Sequence, residues 1–187
     1  GVKGWEGDED AKILVLHRLT TVEPVITDSH IPLLPFCFQA HGGETHPDVA
    51  FAYARIGNVY TSKAEFVKAL VQYRRALDIR IRVFGQEHPE VAYLYNNIGH
   101  VYHRQGKVQE ALEQLHRAFE IRIRVLGKDH AAVADTGKNI AIIYQEQAKF
   151  EEALEIYELA LATQIRVCGQ DHQSVAALYN NIGAVYN

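Results

Sequence analysis

Apolar residues recur every three or four positions along most of the chain beyond residue 45, which predicts amphipathic helices. In the stretch 88–127, a first apolar face follows an i, i+3, i+4, i+7 spacing, and a second follows i, i+4, i+7 after a short polar turn. Two consecutive helices of roughly four to five turns are therefore predicted. Their apolar faces are Tyr95, Ile98, Gly99 and Tyr102, then Ala111, Leu115 and Ala118.

The same pattern returns at a fixed step along the sequence. Histidines stand at 46, 88, 130 and 172, each 42 residues after the last, and glycines and tyrosines keep the same step. A fixed period of this size is typical of a solenoid, in which each helix pair buries its apolar face on its neighbours. We therefore predict an all-α array over residues 44–187, with repeats at about 45–86, 87–128, 129–170 and a partial repeat at 171–187.

Residues 1–43 do not follow the repeat pattern. Pro24, Pro32 and Pro35 exclude a long helix there, because proline lacks an N–H and restricts the residue before it. We interpret these residues as a lead and a degenerate N-terminal cap, with the apolar cluster 33–38 packed on the first repeat. The chain lacks methionine and stops partway through a repeat, which we interpret as a processed chain or a fragment.

Helix ends and close contacts are also predicted by the repeated residues. His-Pro at 46–47 and 88–89 suits a helix start, and Gly85, Gly127 and Gly169 suit a left-handed helix C-cap. A small residue recurs inside the first helix, although glycine there costs about 1 kcal/mol relative to alanine. We infer that a second helix approaches closely at these positions, which are Gly57, Gly99, Ala141 and Gly183.

Composition and charge exclude several classes of function. The net charge of −4 and pI near 6.2 leave no basic footprint for nucleic acid, and no apolar run is long enough for a membrane. Phosphate loops, zinc signatures and nucleophile elbows are absent, so neither an enzyme nor a cofactor is predicted. Two cysteines fit a reducing, cytoplasmic location. Of these, Cys168 occupies an apolar slot of the repeat and is expected to be buried.

The residues of repeat two resemble the tetratricopeptide repeat. They match its bulky residue, Leu-Gly-like pair and tyrosine in the first helix, and its Ala, bulky residue and Ala in the second. The 42-residue form, with Gly-x-x-His-Pro-x-Val-Ala and Asn-Asn-Ile-Gly, is similar to the repeats of kinesin light chains. The resemblance covers residues 43–187 and implies a right-handed superhelix. Repeat three departs from it at Gly137 and Ala141.

In the resembled family, the first helices line a concave groove that binds peptides. In this chain, the corresponding residues are those of each first helix that do not belong to its apolar packing face. We therefore predict a peptide-binding groove with a ladder of polar side chains at Arg55, Asn97, Asn139 and Asn181. The remaining predicted groove residues are Phe51, Asn58, Tyr93, Asn96, His100, Asp135, Lys138 and Asn180.

Two interpretations of these groove residues stay open. The asparagines have both donors and an acceptor, so they can bind the backbone of an extended peptide or tie neighbouring first helices together. Phe51 and Tyr93 are either aromatic anchors or inter-repeat packing residues. An acidic or C-terminal carboxylate motif is one candidate ligand class. Charged pairs on the second helices, such as Glu113/Arg117 and Glu120/Arg124, are interpreted as a solvated surface.

The histidines have a mainly structural interpretation. Equivalent positions of packed helices are about 10 Å apart, whereas zinc needs ligands near 2 Å from one centre. We therefore expect His46, His88, His130 and His172 to bond locally at helix starts and predict no metal site. His100 and His103 lie one turn apart, but no carboxylate or cysteine at matching spacing completes a ligand set.

The sequence thus predicts a non-catalytic adaptor or scaffold that binds a peptide or partner protein in its groove. One alternative is a structural element that self-associates through the uncovered residues Ile182, Val185 and Tyr186. Another is a regulatory repeat array of a larger signalling protein. The ligand itself is not identified by any motif.

Overall fold

The structure is a computed structural model, and it describes residues 46–186. This range contains seven α-helices and no strand, as predicted, and it divides after Gly85 into two compact parts. The predicted lead and cap, residues 1–43, lie outside the described residues. The N-terminal part contains α1 (Pro47–Ser62) and α2 (Phe66–Phe84); the C-terminal part contains α3 (Pro89–Arg104), α4 (Val108–Leu126), α5 (Ala131–Glu146), α6 (Phe150–Cys168) and α7 (Gln173–Val185).

The repeated histidine caps the first helix of every repeat. In each case the ring Nδ1 accepts a hydrogen bond from the backbone N–H two residues later, at 3.1–3.3 Å. This bond satisfies one of the donors that a helix start leaves without an intrahelical partner. The local interpretation of His46, His88, His130 and His172 is confirmed. Repeats three and four begin at the same register without proline.

The second helices end at glycines with positive φ. Gly85, Gly127 and Gly169 have φ of 81–84° and ψ of 153–172°. The predicted C-caps are therefore confirmed, but the predicted left-handed helical conformation is wrong, because ψ lies in the mirror-extended region. That region is essentially restricted to glycine. The backbone N–H of each glycine donates to the carbonyl four residues earlier, which closes the last turn.

The turn between paired helices needs one left-handed residue. Gly106 holds this position in repeat two with φ of 72°, whereas Ala64 and Ala148 hold it in repeats one and three with φ of 58°. Alanine in this conformation costs roughly 1–2 kcal/mol. The turn geometry is thus kept in all three repeats, but only repeat two has the residue that adopts it without strain.

The predicted close approach of a second helix is present at Gly57 and Gly99 but not at Gly183, where a Cβ would meet nothing within 4 Å. A Cβ at Gly57 would lie 2.6 Å from the Tyr73 ring, and one at Gly99 would lie 2.8 Å from Leu115 Cγ. Distances this short require a neighbour to shift. At Ala141 of repeat three, an actual methyl group is accommodated, and this residue is fully buried.

The C-terminal part is built by packing each helix pair on the next. Helix α3 packs with α4 and α5 with α6, while α4–α5 and α6–α7 contacts join successive repeats. Tyr157 is fully buried in the repeat-three core, where its hydroxyl donates to Gln145 Oε1 at 3.1 Å. Burial, helped by the negative charge of Glu146, raises the pKa of Tyr157 to about 12. This hydroxyl therefore stays protonated at neutral pH.

The end of the second helix is more exposed than predicted. Cys168 is exposed, and Phe84 at the equivalent position of repeat one is 39% exposed. The expectation of a buried cysteine was therefore wrong. The reason is that this position comes in the last turn, next to the C-cap glycine, where little of the neighbouring helix covers it. The Cys168 thiol instead contacts Gln164 Oε1 at 3.4 Å.

Candidate protein-binding face of the first helices

Helices α3 and α5 lie side by side, and polar residues join them. Asn139 Nδ2 donates a hydrogen bond to Asn96 Oδ1 at 3.1 Å. The tie between neighbouring first helices, one of the two roles considered for the asparagines, is therefore present for Asn139. Its partner is Asn96, one residue before the Asn97 of the predicted ladder. We call the surface around this amide pair the first-helix face; it comprises Tyr93, Asn96, Asn97, His100, Asp135, Lys138 and Asn139.

Asn97 differs from Asn139 in its hydrogen bonding. Its Nδ2 atom is buried and has no hydrogen-bond partner among the described residues. Leaving a buried donor unsatisfied costs about 1–3 kcal/mol. An acceptor brought by a partner after a small side-chain shift would remove that cost. The Asn97 amide nitrogen is therefore not engaged by the fold, unlike that of Asn139.

The two ends of the α3 stripe are open to solvent. Tyr93 is 38% exposed, and His100, two turns further along, is also exposed. Partial burial, followed by the positive charges of Arg104 and His103, lowers the pKa of His100. His100 therefore offers a neutral imidazole at neutral pH, which can donate at one ring nitrogen and accept at the other.

A buried arginine lies beneath the first-helix face, and the sequence interpretation missed it. Arg122 on α4 is only 8% exposed and donates to the Ala132 carbonyl at 2.8 Å and to Thr136 Oγ1. Burial lowers its pKa, while Asp135 and Tyr93 act in the opposite direction. The arrangement brings a cation close to two predicted groove residues. One feature of the sequence could have indicated this burial. Arg122 lies two residues before Arg124 and therefore on a different side of α4 from that exposed arginine.

The equivalent position in repeat three is an amide. Gln164 on α6 is 3% exposed, and its Nε2 donates to Asp135 Oδ1 at 3.2 Å. Its Oε1 accepts from Ser174 Oγ on α7 at 3.2 Å. Gln164 therefore links three helices, and the predicted groove residue Asp135 already takes part in an internal hydrogen bond while remaining exposed.

In the N-terminal part, the predicted residues interact locally. Phe51 is 40% exposed, and the Arg55 guanidinium lies 5.9 Å from the centre of its ring. Asn58 Oδ1 accepts a hydrogen bond from the Tyr73 hydroxyl at 2.6 Å, so this asparagine joins α1 to α2. On α7, Asn180 is exposed and Asn181 is half-buried.

One histidine of α3 pairs with a carboxylate of α5. His103 Nε2 lies 2.6 Å from Glu146 Oε2. Glu146 comes from the end of the next first helix, so residue spacing within one helix does not reveal this pair. Even so, residues 46–186 contain no group of three or more His, Cys, Asp or Glu side chains placed to hold a metal ion.

The charged pairs on the second helices are solvated, as predicted. Arg117 and Glu113 are 2.8 Å apart, Arg124 and Glu120 are 3.9 Å apart, and all four side chains are more than half exposed. Such pairs contribute little to stability. Among the helices of residues 46–186, none is long and apolar enough to cross a membrane.

Comparisons with known proteins agree with this architecture. Tetratricopeptide repeat models match residues 49–90, 90–165 and 136–187. No curated protein matches the chain significantly. The fold is similar to that of BtubC (BKLC) from P. vanneervenii, with a TM-score of 0.73 and 22% identity over 84% of this chain and 64% of that one. It is also similar to the TPR-like repeats of a kinesin light chain candidate from P. anserina, with a TM-score of 0.68 and 19% identity over 96% of this chain and 84% of that one. A third similar structure is the N-terminal domain of STI-1 from C. elegans, with a TM-score of 0.55 and 18% identity over 75% of this chain and 97% of that one.

The chain spans less than two thirds of the length of BtubC, 64%. At these identities, the similar structures indicate the fold alone. Tetratricopeptide repeats generally bind protein partners, and their fold is typically non-catalytic. The repeat models, the helix-turn-helix geometry and the 42-residue period agree, and the chain belongs to the tetratricopeptide repeat family.

Proposed function

We propose that the chain is a non-catalytic adaptor or scaffold module that binds an extended segment of a partner protein on its first-helix face. The observation that carries this proposal is the unsatisfied, buried Nδ2 of Asn97 beside the Asn96–Asn139 amide pair. A peptide carbonyl supplies the missing acceptor after a modest rotation of the Asn97 amide. Tyr93 and His100, both exposed, provide an apolar and a polar contact on either side.

Charge on this face favours a ligand with a carboxylate near its bound segment. Arg122 is buried close to Tyr93 and Asp135, and Lys138 is half-buried on α5. A carboxylate that approaches Arg122 competes with Asp135 for the same cation. In the N-terminal part, the Phe51–Arg55 pair offers a similar combination of ring and cation. An exposed, unpaired thiol at Cys168 is compatible with a reducing, cytoplasmic location.

The test uses a peptide selected from a random displayed library against the native chain. Its affinity is measured by fluorescence polarisation for the native chain and for Asn97→Ala. Because Asn97 Nδ2 makes no hydrogen bond, this substitution is expected to leave the circular dichroism spectrum unchanged. Arg117→Ala, on the solvated face of α4, is the matched control. Weaker binding by Asn97→Ala alone supports the proposal, whereas equal affinity for all three proteins contradicts it.

Self-association is the second candidate. The observation in its favour is the exposure of Tyr179 on α7, at 53%, and of Tyr186 just after it, at 71%, whereas Ile182 and Val185 are partly buried. Light scattering across a concentration series separates the two candidates. A strict monomer excludes self-association through α7, and a mass that rises with concentration and is lost in Tyr179→Ser/Tyr186→Ser supports it. A role as the regulatory array of a longer signalling protein is compatible with either outcome.

A further inference from the structure

A shallow apolar cleft lies beside Gly137, away from the first-helix face. Gly137 follows Asp135 by two residues, which places it about 200° further round the axis of α5. The cleft therefore opens on a different side of α5 from Asp135 and Asn139. The residues that line it include Phe119, Lys128, Val133, Gly137, Ile156 and Leu159.

Two paired substitutions produce this cleft. In repeats one and two, a tyrosine of the first helix lies under an arginine of the second, with Arg75 5.5 Å from the Tyr53 ring centre and Arg117 5.9 Å from that of Tyr95. Repeat three has Gly137 in place of the tyrosine and Leu159 in place of the arginine. The ring and its cation are thus lost together, and Leu159 is left 53% exposed.

The corresponding cleft of repeat two is charged. Gln86, Glu87, Tyr95, Arg117, Glu120 and Arg124 are among the residues that line it. Its ion pair between Glu87 and Arg124 recurs in repeat three as Asp129 with Arg166. The other charges are not kept, and Lys128 is the only charged side chain that lines the Gly137 cleft. The same place is therefore lined mainly by charged side chains in repeat two and mainly by apolar ones in repeat three.

The dimensions of the cleft favour an aliphatic over an aromatic side chain. A Cβ at Gly137 would lie only 3.2 Å from Ile156 Cγ2 and 3.5 Å from Phe119 Cε2. The space that remains inside is about 10 Å³, roughly room for one water molecule. An aromatic ring is too large to enter a space of this size. A branched aliphatic side chain can cover the mouth and contact Leu159 and Ile156 without displacing them.

We propose that the Gly137 cleft is a second protein-docking surface, which binds an aliphatic side chain flanked by a carboxylate on a partner protein. The aliphatic group covers the apolar mouth of the cleft against Leu159 and Ile156, and Lys128 pairs with the carboxylate. This surface is independent of ligand binding on the first-helix face. A partner that uses both surfaces would contact two sides of α5.

The test titrates N-acetyl-leucine into the ¹⁵N-labelled chain and follows amide chemical shifts, with uncharged N-acetyl-leucinamide as the comparison. Saturable shifts are expected at Gly137 and Leu159, with the acid binding about two- to fivefold more tightly than the amide, the size of an exposed ion pair. Lys128→Gln should abolish that preference. Leu159→Arg, which restores the residue of repeats one and two, should abolish the shifts.

Three outcomes overturn the proposal. One is the absence of shifts at Gly137 and Leu159 up to the solubility limit of the acid. Another is shifts that persist in Leu159→Arg. The third is shifts at these residues that depend on protein concentration without any added compound, because the occupant would then be a second copy of the chain. Arg117→Leu, at the equivalent position of repeat two, checks that an added leucine alone does not create binding.

Discussion

Repeats two and three have the same backbone plan and different side-chain chemistry. Both begin with a histidine N-cap and end with a glycine C-cap of nearly identical φ. Inside this frame, repeat two pairs Gly99 with Leu115, whereas repeat three has Ala141 and the buried Tyr157 at the same positions. Caps and turns therefore preserve the repeat, while the interior pairs and the outer surface vary between copies.

The largest expected effect concerns the closest helix contact of repeat two. A methyl group at Gly99 would lie 2.8 Å from Leu115 Cγ and 3.1 Å from the Ala111 carbonyl oxygen. We expect Gly99→Ala to lower the free energy of unfolding in urea by about 1–2 kcal/mol, since overpacking outweighs the gain in helix propensity. Gly183→Ala is the control, because no atom lies within 4 Å of that Cβ position. A stabilised Gly99→Ala variant would contradict the close approach.

The buried polar contact of repeat three comes next. Thr136 occupies the position of Leu94 in repeat two, and its hydroxyl accepts from Arg122. Thr136→Val removes one of two acceptors from a buried cation that keeps the Ala132 carbonyl, so the free energy of unfolding should fall by about 1 kcal/mol. Thr136→Ser keeps the hydroxyl and should retain most of the stability. Equal losses for Val and Ser would assign the effect to packing instead.

Exchanging alanine and glycine at the left-handed turn position of repeats two and three tests the strain in these turns. Ala148→Gly should raise the free energy of unfolding by about 1 kcal/mol, because Ala148 has φ of 58° and glycine adopts it without strain. Gly106→Ala should lower it by a similar amount, since φ there is 72°. Thermal unfolding of both variants measures the exchange. Changes of the same sign in the two turns would show that their conformations are not equivalent.

The smallest effect at neutral pH concerns Tyr157, which repeat two lacks. Its pKa is raised to about 12 in the folded chain, above the ordinary value near 10. The stability that folding gains from the protonated Tyr157 hydroxyl is therefore fully present below pH 10. It is lost as the pH rises towards 12, because this hydroxyl ionises at lower pH in the unfolded chain than in the folded one. Tyr157→Phe should flatten the fall in stability between pH 9 and 12. An unchanged alkaline profile would contradict the raised pKa.

Much of the fold could be predicted because it depends on local patterns. The apolar spacing predicted two helices per repeat, and the 42-residue period located the histidine caps and the C-terminal glycines. The small residues at 57 and 99 correctly indicated close helix contacts. The conformation of the C-cap glycines was not predictable in detail, because a glycine in a sequence indicates positive φ without specifying ψ.

The site was less predictable, because its contacts join residues far apart in the chain. Asn139 bonds to Asn96 rather than to Asn97, which depends on the relative shift of α3 and α5 along their axes. Arg122 comes from a second helix, and periodicity alone could not show that its side chain ends beneath the first-helix face. Glu146 reaches His103 from the next repeat for the same reason.

The central claim, that a partner segment binds on the first-helix face, is tested most directly by locating a selected peptide on the chain. Amide chemical shifts of the ¹⁵N-labelled protein are recorded with and without this peptide. If the peptide binds there, shifts are expected at Asn96, Asn97 and His100 of α3 and at Asp135 and Asn139 of α5, and they should be lost in Asn97→Ala. Shifts confined to the outer surfaces of α4 and α6, with the first-helix face unchanged, would contradict it.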